Sequence, residues 1–156
     1  MKIEQKLAEM GLKLPAPRTP VGTYVGAVRS GNLVFVSGHG PAVEKDGKHQ
    51  LILGKVGRDL TLEQGYEAAK IVALYLLRAI KEAVGDLDKV VRVVKLLGFV
   101  NTADGFKDQP KVINGASDLF VALYGDSGRH ARSAVGMYEL PNGIAVEVEA
   151  IVEVRD

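Results

Sequence analysis

The stretch Arg132-Ser-Ala-Val-Gly-Met-Tyr-Glu-Leu-Pro-Asn-Gly-Ile-Ala-Val-Glu-Val-Glu-Ala-Ile-Val-Glu-Val154 decides the predicted fold. Two runs of strand-forming residues flank Asn142 and Gly143. Asn-Gly between such runs is the strongest short-range signal for a β-hairpin, because a type I′ turn needs positive φ at both central residues. The stretch therefore predicts a hairpin in which Pro141 opposes Ile144.

This register would give the hairpin one apolar and one polar face, because successive side chains of a strand point to opposite sides. The apolar face would join the core, and it collects Ser133, Val135, Met137, Val146, Val148, Ala150 and Val152. The polar face must meet water, another subunit or a ligand, and it collects Arg132, Ala134, Gly136, Tyr138, Glu147, Glu149, Ile151 and Glu153.

The composition predicts one soluble domain. With 156 residues, 47% hydrophobic and 25% charged, the chain resembles an ordinary globular protein. The net charge of +1 creates no field that would attract nucleic acid or a membrane surface. Without cysteine there is neither thiolate chemistry nor a cysteine-type zinc site. We find no long apolar run or cleavable leader, which favours a cytoplasmic location without membrane contact.

Two helices and several strands are predicted before this region. Thr61 and Gln64 form a capping box ahead of a helical apolar repeat that ends at Gly85. The other predicted elements are a short helix over 2–10, a proline-containing connection over 12–21, a hairpin of 23–28 with 33–37, a glycine-rich loop over 38–57 with a possible strand at 50–53, a buried strand over 89–100 and a helix over 108–124.

The order of these elements predicts an α+β fold, a mostly antiparallel sheet with two helices packed on one face. We take residues 1–20 as an N-terminal extension and 21–156 as a single domain. Nothing in the order covers the second face of the sheet. Association of identical chains would be a natural way to bury its apolar parts.

The search for catalytic motifs leaves one candidate pair. His39, His49 and His130 do not share a metal-ligand spacing, and no nucleophile or phosphate-loop motif is present. Arg132 with Glu147 could bind a carboxylate and activate a water, because an arginine fork matches a carboxylate and a glutamate can accept a proton. The alternative is a surface or interface ion pair of little energetic weight.

Several segments together resemble the RidA/YjgF family of reactive enamine/imine deaminases. They are Arg132-Ser-Ala-Val, Leu140-Pro-Asn-Gly, Val146-Glu-Val-Glu-Ala-Ile and Gly31-Asn-Leu-Val-Phe-Val-Ser-Gly, with Tyr24, the helix over 61–85 and Asn114. The resemblance spans about residues 21–154. It implies a chorismate-mutase-like fold, a homotrimer with ligand sites between subunits, and hydrolysis of 2-aminoacrylate-type intermediates to 2-keto acids and ammonia. It implies neither a metal nor an organic cofactor.

The resemblance also implies roles for individual residues. Arg132 would bind the substrate carboxylate and Glu147 would position the attacking water, while Tyr24, Ser37 and Asn114 would line the site. Ala134 replaces a frequent cysteine, His39 replaces the usual glutamine, and the loop before Gly57 is longer than in typical members.

These departures leave a second hypothesis open, in which the protein is a trimer that binds carboxylate metabolites without turnover. RNA cleavage or translation inhibition, a label often attached to the family, would need a basic groove with stacking aromatics, and the charge of +1 with 6% aromatics favours neither. Chaperone-like behaviour through exposed apolar surface is a fourth possibility.

Overall fold

A computed structural model describes residues 1–156. Three helices and seven strands follow one another along the chain. They are α1 (Lys2–Glu9), β1 (Ala27–Ser30), β2 (Leu33–His39), β3 (Ala42–Lys45), β4 (Lys48–Leu51), α2 (Leu62–Val84), β5 (Val90–Asn101), α3 (Gln109–Tyr124), β6 (Ala131–Met137) and β7 (Val146–Val154).

Helix α2 begins and ends where its sequence signals predict. Thr61 accepts a hydrogen bond from the Gln64 N–H at 3.1 Å, and the Gln64 side chain accepts one from the Thr61 N–H at 2.8 Å. Gly85 ends the helix with φ of 86°, a conformation that glycine adopts without strain. Helix α3 packs closely against α2 at Gly115, where a Cβ atom would lie 1.9 Å from the Tyr66 carbonyl oxygen.

Five strands form the main sheet in the order β1-β2-β7-β5-β6. All neighbours are antiparallel except β5 and β6, which run parallel. Strands β3 and β4 form a separate two-stranded sheet. The α+β class and the mostly antiparallel sheet are therefore as predicted.

Both long helices cover the same face of the main sheet. The buried residues of β7, Val146 to Val154 at every second position, pack with α2 and α3 in one apolar core. The other face, which we call the open face, has no helix over it. It exposes apolar side chains such as Val28, Phe35 and Val135, which are 53%, 44% and 41% exposed. The open face is the side on which the glutamates of β7 lie.

The predicted C-terminal hairpin is wrong. Asn142 and Gly143 do have positive φ, 58° and 75°, as the turn chemistry requires. Strands β6 and β7 run in opposite directions but do not pair with each other, because β5 lies between them and pairs with both. A buried, apolar β5 offers β7 a partner with more core contact than β6 does.

The predicted faces of β6 change with this correction. Arg132 lies opposite Leu96, which is fully buried beneath the helices, whereas Glu147 lies opposite Phe99 on the open face. Residues 96 and 99 belong to opposite faces because side chains alternate along β5. Arg132 and Glu147, predicted on one face, therefore lie on opposite faces.

The loop predicted over 38–57 contains a hairpin that was missed. Strands β3 and β4 are joined by Asp46 and Gly47, with φ of 53° and 74°. Asp-Gly is a standard hairpin signal, so the sequence carried the information. The charged residues around it obscured the alternation that marks a strand.

The N-terminal segment packs against the rest of the domain. Ile3 and Leu7 of α1 are buried in the main core. Asp88 accepts hydrogen bonds from the backbone N–H groups of Lys2 and Ile3 at 2.7 and 2.9 Å. None of the helices combines the length and hydropathy needed to cross a bilayer.

Candidate functional site

A cleft of about 320 Å³ opens at the end of the sheet where β2 finishes and β7 begins. Its volume is at the small end of the range of ligand pockets, roughly 300–1,000 Å³. We call it the Glu147 cleft, and it is lined by Arg18, Thr19, Pro20, Val21, Tyr24, Gly26, Gly38, His39, Gly40, Leu51, Pro141, Asn142, Ile144 and Glu147.

Glu147 lies half-buried in this cleft without a compensating partner. Burial, and secondarily the charge of Glu149, raises the pKa of its carboxyl group above the ordinary value. No hydrogen bond or cation opposes that shift. The carboxylate packs against Gly38, where a Cβ atom would lie 2.6 Å from the Glu147 Oε2 atom. A half-buried carboxylate of this kind can accept a proton from a water molecule bound beside it.

Tyr24 lines the same cleft, and Ser37 supports it from outside. The Tyr24 hydroxyl accepts a hydrogen bond from the Val21 N–H at 3.3 Å. Ser37 Oγ donates to the Val25 carbonyl at 2.6 Å and so fixes the loop that carries Tyr24. Ser37 itself lines a shallow hollow on the open face, beside Glu149 and Ile151.

His39 is a further cleft residue with a defined tautomer. Its Nδ1 atom lies 2.6 Å from the Ser37 carbonyl oxygen, which can only accept, so Nδ1 carries the proton and Nε2 is left as an acceptor. Burial, followed by the nearby Arg18 charge, lowers the pKa of His39 against the effect of that hydrogen bond. The imidazole is therefore neutral near pH 7.

A second polar group surrounds Arg132 on the helix-covered face. The Arg132 Nη1 atom donates to Asn114 Oδ1 at 2.8 Å and to Ser117 Oγ at 3.1 Å. Asn114 and Ser117 lie three residues apart on α3, so both side chains project from one side of that helix. Arg132 and Asn114 were predicted site residues and Ser117 was not, although its spacing from Asn114 on one helix indicates it.

His130 completes this group, which we call the Arg132 cluster: Arg132, Asn114, Ser117 and His130. The His130 Nδ1 atom lies 2.7 Å from the Gly128 carbonyl oxygen, so the neutral ring presents Nε2 as an acceptor to Ser117 Oγ at 2.8 Å. Burial, then the Arg132 charge, lowers the pKa of His130. The resulting chain of hydrogen bonds orients Ser117 toward Arg132.

One copy of the chain therefore divides the predicted site residues into two groups. Tyr24 and Glu147 share a cleft that Ser37 supports, while Arg132 and Asn114 contact each other elsewhere. Strand β5 separates the strands that carry Arg132 and Glu147, and the two side chains lie on opposite faces. The simple ion pair between Arg132 and Glu147 is thus wrong for a single copy.

Comparison with known proteins defines the class of protein. The family described as "YjgF/chorismate mutase-like, putative endoribonuclease" matches residues 4–146. Since this is most of the chain, the protein belongs to the YjgF (RidA) family, and the chorismate-mutase-like fold is confirmed.

Three individual proteins illustrate the similarity. Protein TCP17 of Trypanosoma cruzi is 44% identical over 156 residues, covering 99% of this chain and 96% of that protein. The 2-iminobutanoate/2-iminopropanoate deaminase of Dermatophagoides farinae is 31% identical over 145 residues, covering 92% and 95%. The crystal structure of Atu1372 from Agrobacterium tumefaciens, described there as a protein with unknown function, has a TM-score of 0.88 and 44% identity over 98% of this chain and 92% of that one.

Proposed function

We propose that the protein hydrolyses imines and enamines of 2-amino acids to 2-keto acids and ammonia, at a site that two copies of the chain complete. The observation that carries the proposal is the separation just described. A well-anchored arginine and a half-buried carboxylate, the two groups that this reaction requires, belong to different faces of one copy. A neighbouring copy can bring them together.

The Arg132 cluster is suited to binding the substrate carboxylate. Asn114 and Ser117 both contact Nη1 and leave the other donors of the guanidinium for a ligand. Because the guanidinium is already held in place, little side-chain entropy is lost when a carboxylate binds. Arg132 thereby orients the imine carbon toward the opposite half of the site.

The Glu147 cleft is suited to the proton transfers. An enamine first tautomerises to its imine, and a water molecule adds to the C=N carbon while Glu147 accepts one of its protons. The resulting carbinolamine loses ammonia as the C–N bond breaks and the keto group forms. The raised pKa of Glu147 brings it nearer to neutral pH, where a group that both accepts and returns a proton is most effective.

The open face supports the association of copies. Val28, Phe35 and Val135 are exposed apolar side chains on that face, and burying them against neighbours would be favourable. We propose a homotrimer whose sheets pack through this face and whose clefts lie at the contacts between subunits. The deaminase from Dermatophagoides farinae supports the reaction assigned here.

The test is competition with semicarbazide for an imine that an amino-acid oxidase generates from a neutral L-amino acid. We expect the protein to suppress semicarbazone formation and Arg132→Ala to abolish the suppression. Arg129→Ala is the matched control, since Arg129 is an exposed arginine close in sequence whose ion pair with Asp126 is 3.7 Å long. It should behave as the unaltered protein does.

A trimer of correct mass that leaves every imine to semicarbazide would contradict the proposal. If that trimer binds 2-keto acids in calorimetry and loses them with Arg132→Ala, the protein is a carboxylate-binding protein instead. Light scattering on each variant checks that the trimer is intact, so that a loss of activity or binding cannot be attributed to failed assembly.

A further inference from the structure

The Glu147 cleft continues toward helix α2, where the N-terminal segment contributes a cation. A neighbouring hollow of about 240 Å³ shares Arg18, Pro20, Tyr24, Gly26 and His39 with the cleft and extends to Tyr75, Arg78, Ala79 and Glu82 of α2. Arg18 therefore lines both cavities. Because Arg18 and Glu147 line the same cleft, a ligand bound there can contact both side chains.

Arg18 is held in one orientation by two contacts. Its Nη1 atom donates to the Gly40 carbonyl oxygen at 2.9 Å, and its guanidinium carbon lies 4.9 Å from the centre of the Tyr75 ring. The stacked ring and the hydrogen bond leave the remaining N–H donors of the fork unused. A guanidinium so oriented can bind an anion with little loss of side-chain freedom.

Arg18 is also the cation of this region that lacks a carboxylate partner. Its neighbour Arg78 pairs with Glu82, with 3.8 Å between Nε and Oε1. No carboxylate oxygen lies within 4.0 Å of an Arg18 nitrogen. The hydrogen bond to Gly40 and the stacking on Tyr75 would be enough to attach the N-terminal segment. Attachment alone does not require a positive charge in the cavity that no carboxylate neutralises.

We propose that Arg18 binds a second carboxylate of the substrate, so that the preferred substrates are dicarboxylic 2-imino acids, the imines of acidic amino acids. This inference rests on the proposed function. Arg132 of one copy would hold the carboxylate next to the C=N carbon, and Arg18 would hold the side-chain carboxylate. Water adds to the carbon between them, the C–N bond breaks, and a dicarboxylic 2-keto acid and ammonia leave.

The test compares imines generated in situ from L-glutamate and from L-leucine, each by its own oxidase, for the unaltered protein and Arg18→Gln. Glutamine keeps an N–H donor for the Gly40 carbonyl but carries no charge. We expect Arg18→Gln to lower kcat/KM for the glutamate imine about tenfold, because a charged hydrogen bond is lost. The value of kcat/KM for the leucine imine should change less than about twofold.

The control is Lys13→Gln. Lys13 is an exposed cation of the same segment, and it lines a different hollow. The substitution should leave both efficiencies unchanged. A purely structural role for Arg18 predicts that Arg18→Gln lowers both efficiencies by the same factor. Equal losses, or an unaltered protein without preference for the glutamate imine, would overturn the inference and leave the proposed deaminase activity standing.

If no imine is hydrolysed, the proposed activity fails and binding decides this inference separately. Calorimetry with 2-ketoglutarate and 2-ketobutyrate then measures the same preference. Tighter binding of 2-ketoglutarate that is lost in Arg18→Gln supports a second carboxylate site at Arg18. Equal affinities for the two acids contradict it.

Discussion

The Arg132 cluster and the Glu147 cleft are built in opposite ways. In the cluster, each polar side chain has a hydrogen-bonded neighbour, and a rigid helix supplies two of the four residues. In the cleft, loops supply most of the wall, and the central carboxylate has no partner to stabilise its charge. One face of the sheet thus carries a hydrogen-bonded arginine, and the other carries a half-buried carboxylate without a partner.

The difference fits the roles proposed for the two groups. A residue that holds a carboxylate gains from having its own position fixed before the ligand arrives. A residue that exchanges protons gains from a raised pKa, which a stabilising hydrogen bond or cation would lower. The following experiments weaken one region at a time, in order of expected effect.

The largest effect is expected in the cleft. Glu147→Gln retains the shape of the side chain but cannot accept a proton, so we expect kcat/KM for imine hydrolysis to fall about 100- to 10,000-fold. Ligand affinity for a 2-keto acid should change little, because the proposed carboxylate contact belongs to Arg132. Loss of affinity with turnover retained would assign Glu147 to binding.

The pH profile sharpens the same prediction. If Glu147 accepts the proton, its active form is the carboxylate. Because burial raises the pKa of this group, activity should be lost as pH falls through a value above that of an ordinary glutamate. The measurement is kcat/KM against pH for a substrate whose own ionisation lies elsewhere. An acid limb at or below the ordinary value would contradict the assignment.

The next effect is expected in the cluster. Arg132→Lys keeps the charge but loses the fork, so we expect KM for imines to rise about 10- to 100-fold, the cost of one charged hydrogen bond. The value of kcat should be reduced much less. An equal fall in kcat with unchanged KM would mean that Arg132 acts on the transition state alone.

A smaller effect is expected at Gly38, whose lack of a side chain leaves room for the Glu147 carboxylate. An alanine Cβ there would lie 2.6 Å from Oε2, and the flexible carboxylate would move rather than the strand. We expect Gly38→Ala to lower kcat/KM about tenfold by misplacing the group. Tm should change by less than about 3 °C. In a Glu147→Gln background the same substitution should have no further effect, since the residue it displaces is already inactive.

The smallest effect is expected from Ser117→Ala. Arg132 keeps its hydrogen bond to Asn114 and loses the one to Ser117, so we expect a KM increase of about fivefold, or about 1 kcal/mol. Asn114→Ala, which leaves Ser117 in place, is the matched comparison and should give a similar increase. A larger effect on kcat than on KM in either variant would contradict an anchoring role.

Two turns of similar composition show how far the sequence could predict the fold. Asn142-Gly143 and Asp46-Gly47 both adopt positive φ at each residue, as their composition predicts. Only Asp46-Gly47 joins paired strands. Dihedral angles at a turn are set by neighbouring residues, whereas the partner of a strand is set by the whole sheet. A buried β5 takes the place beside β7 that the hairpin would have given to β6.

The candidate site was predictable to a similar degree. Helix boundaries, the buried strand and the uncovered sheet face follow from capping residues and apolar periodicity, which are local. The face of Arg132 depends on its parallel pairing with β5, so sequence alternation alone assigned it wrongly. Arg18 is positioned by its stacking on Tyr75 of α2, a long-range contact that no local sequence pattern encodes.

The most direct test of a site shared between copies is complementation of two inactive variants. Arg132→Ala and Glu147→Gln are unfolded together, refolded in equal amounts and assayed for imine hydrolysis beside each refolded variant alone. If the two groups act from neighbouring copies, about one quarter of the sites in random assemblies are intact, so about a quarter of the original activity should return. Activity that stays at the level of the separate variants, in mixed assemblies of correct mass, would contradict the account.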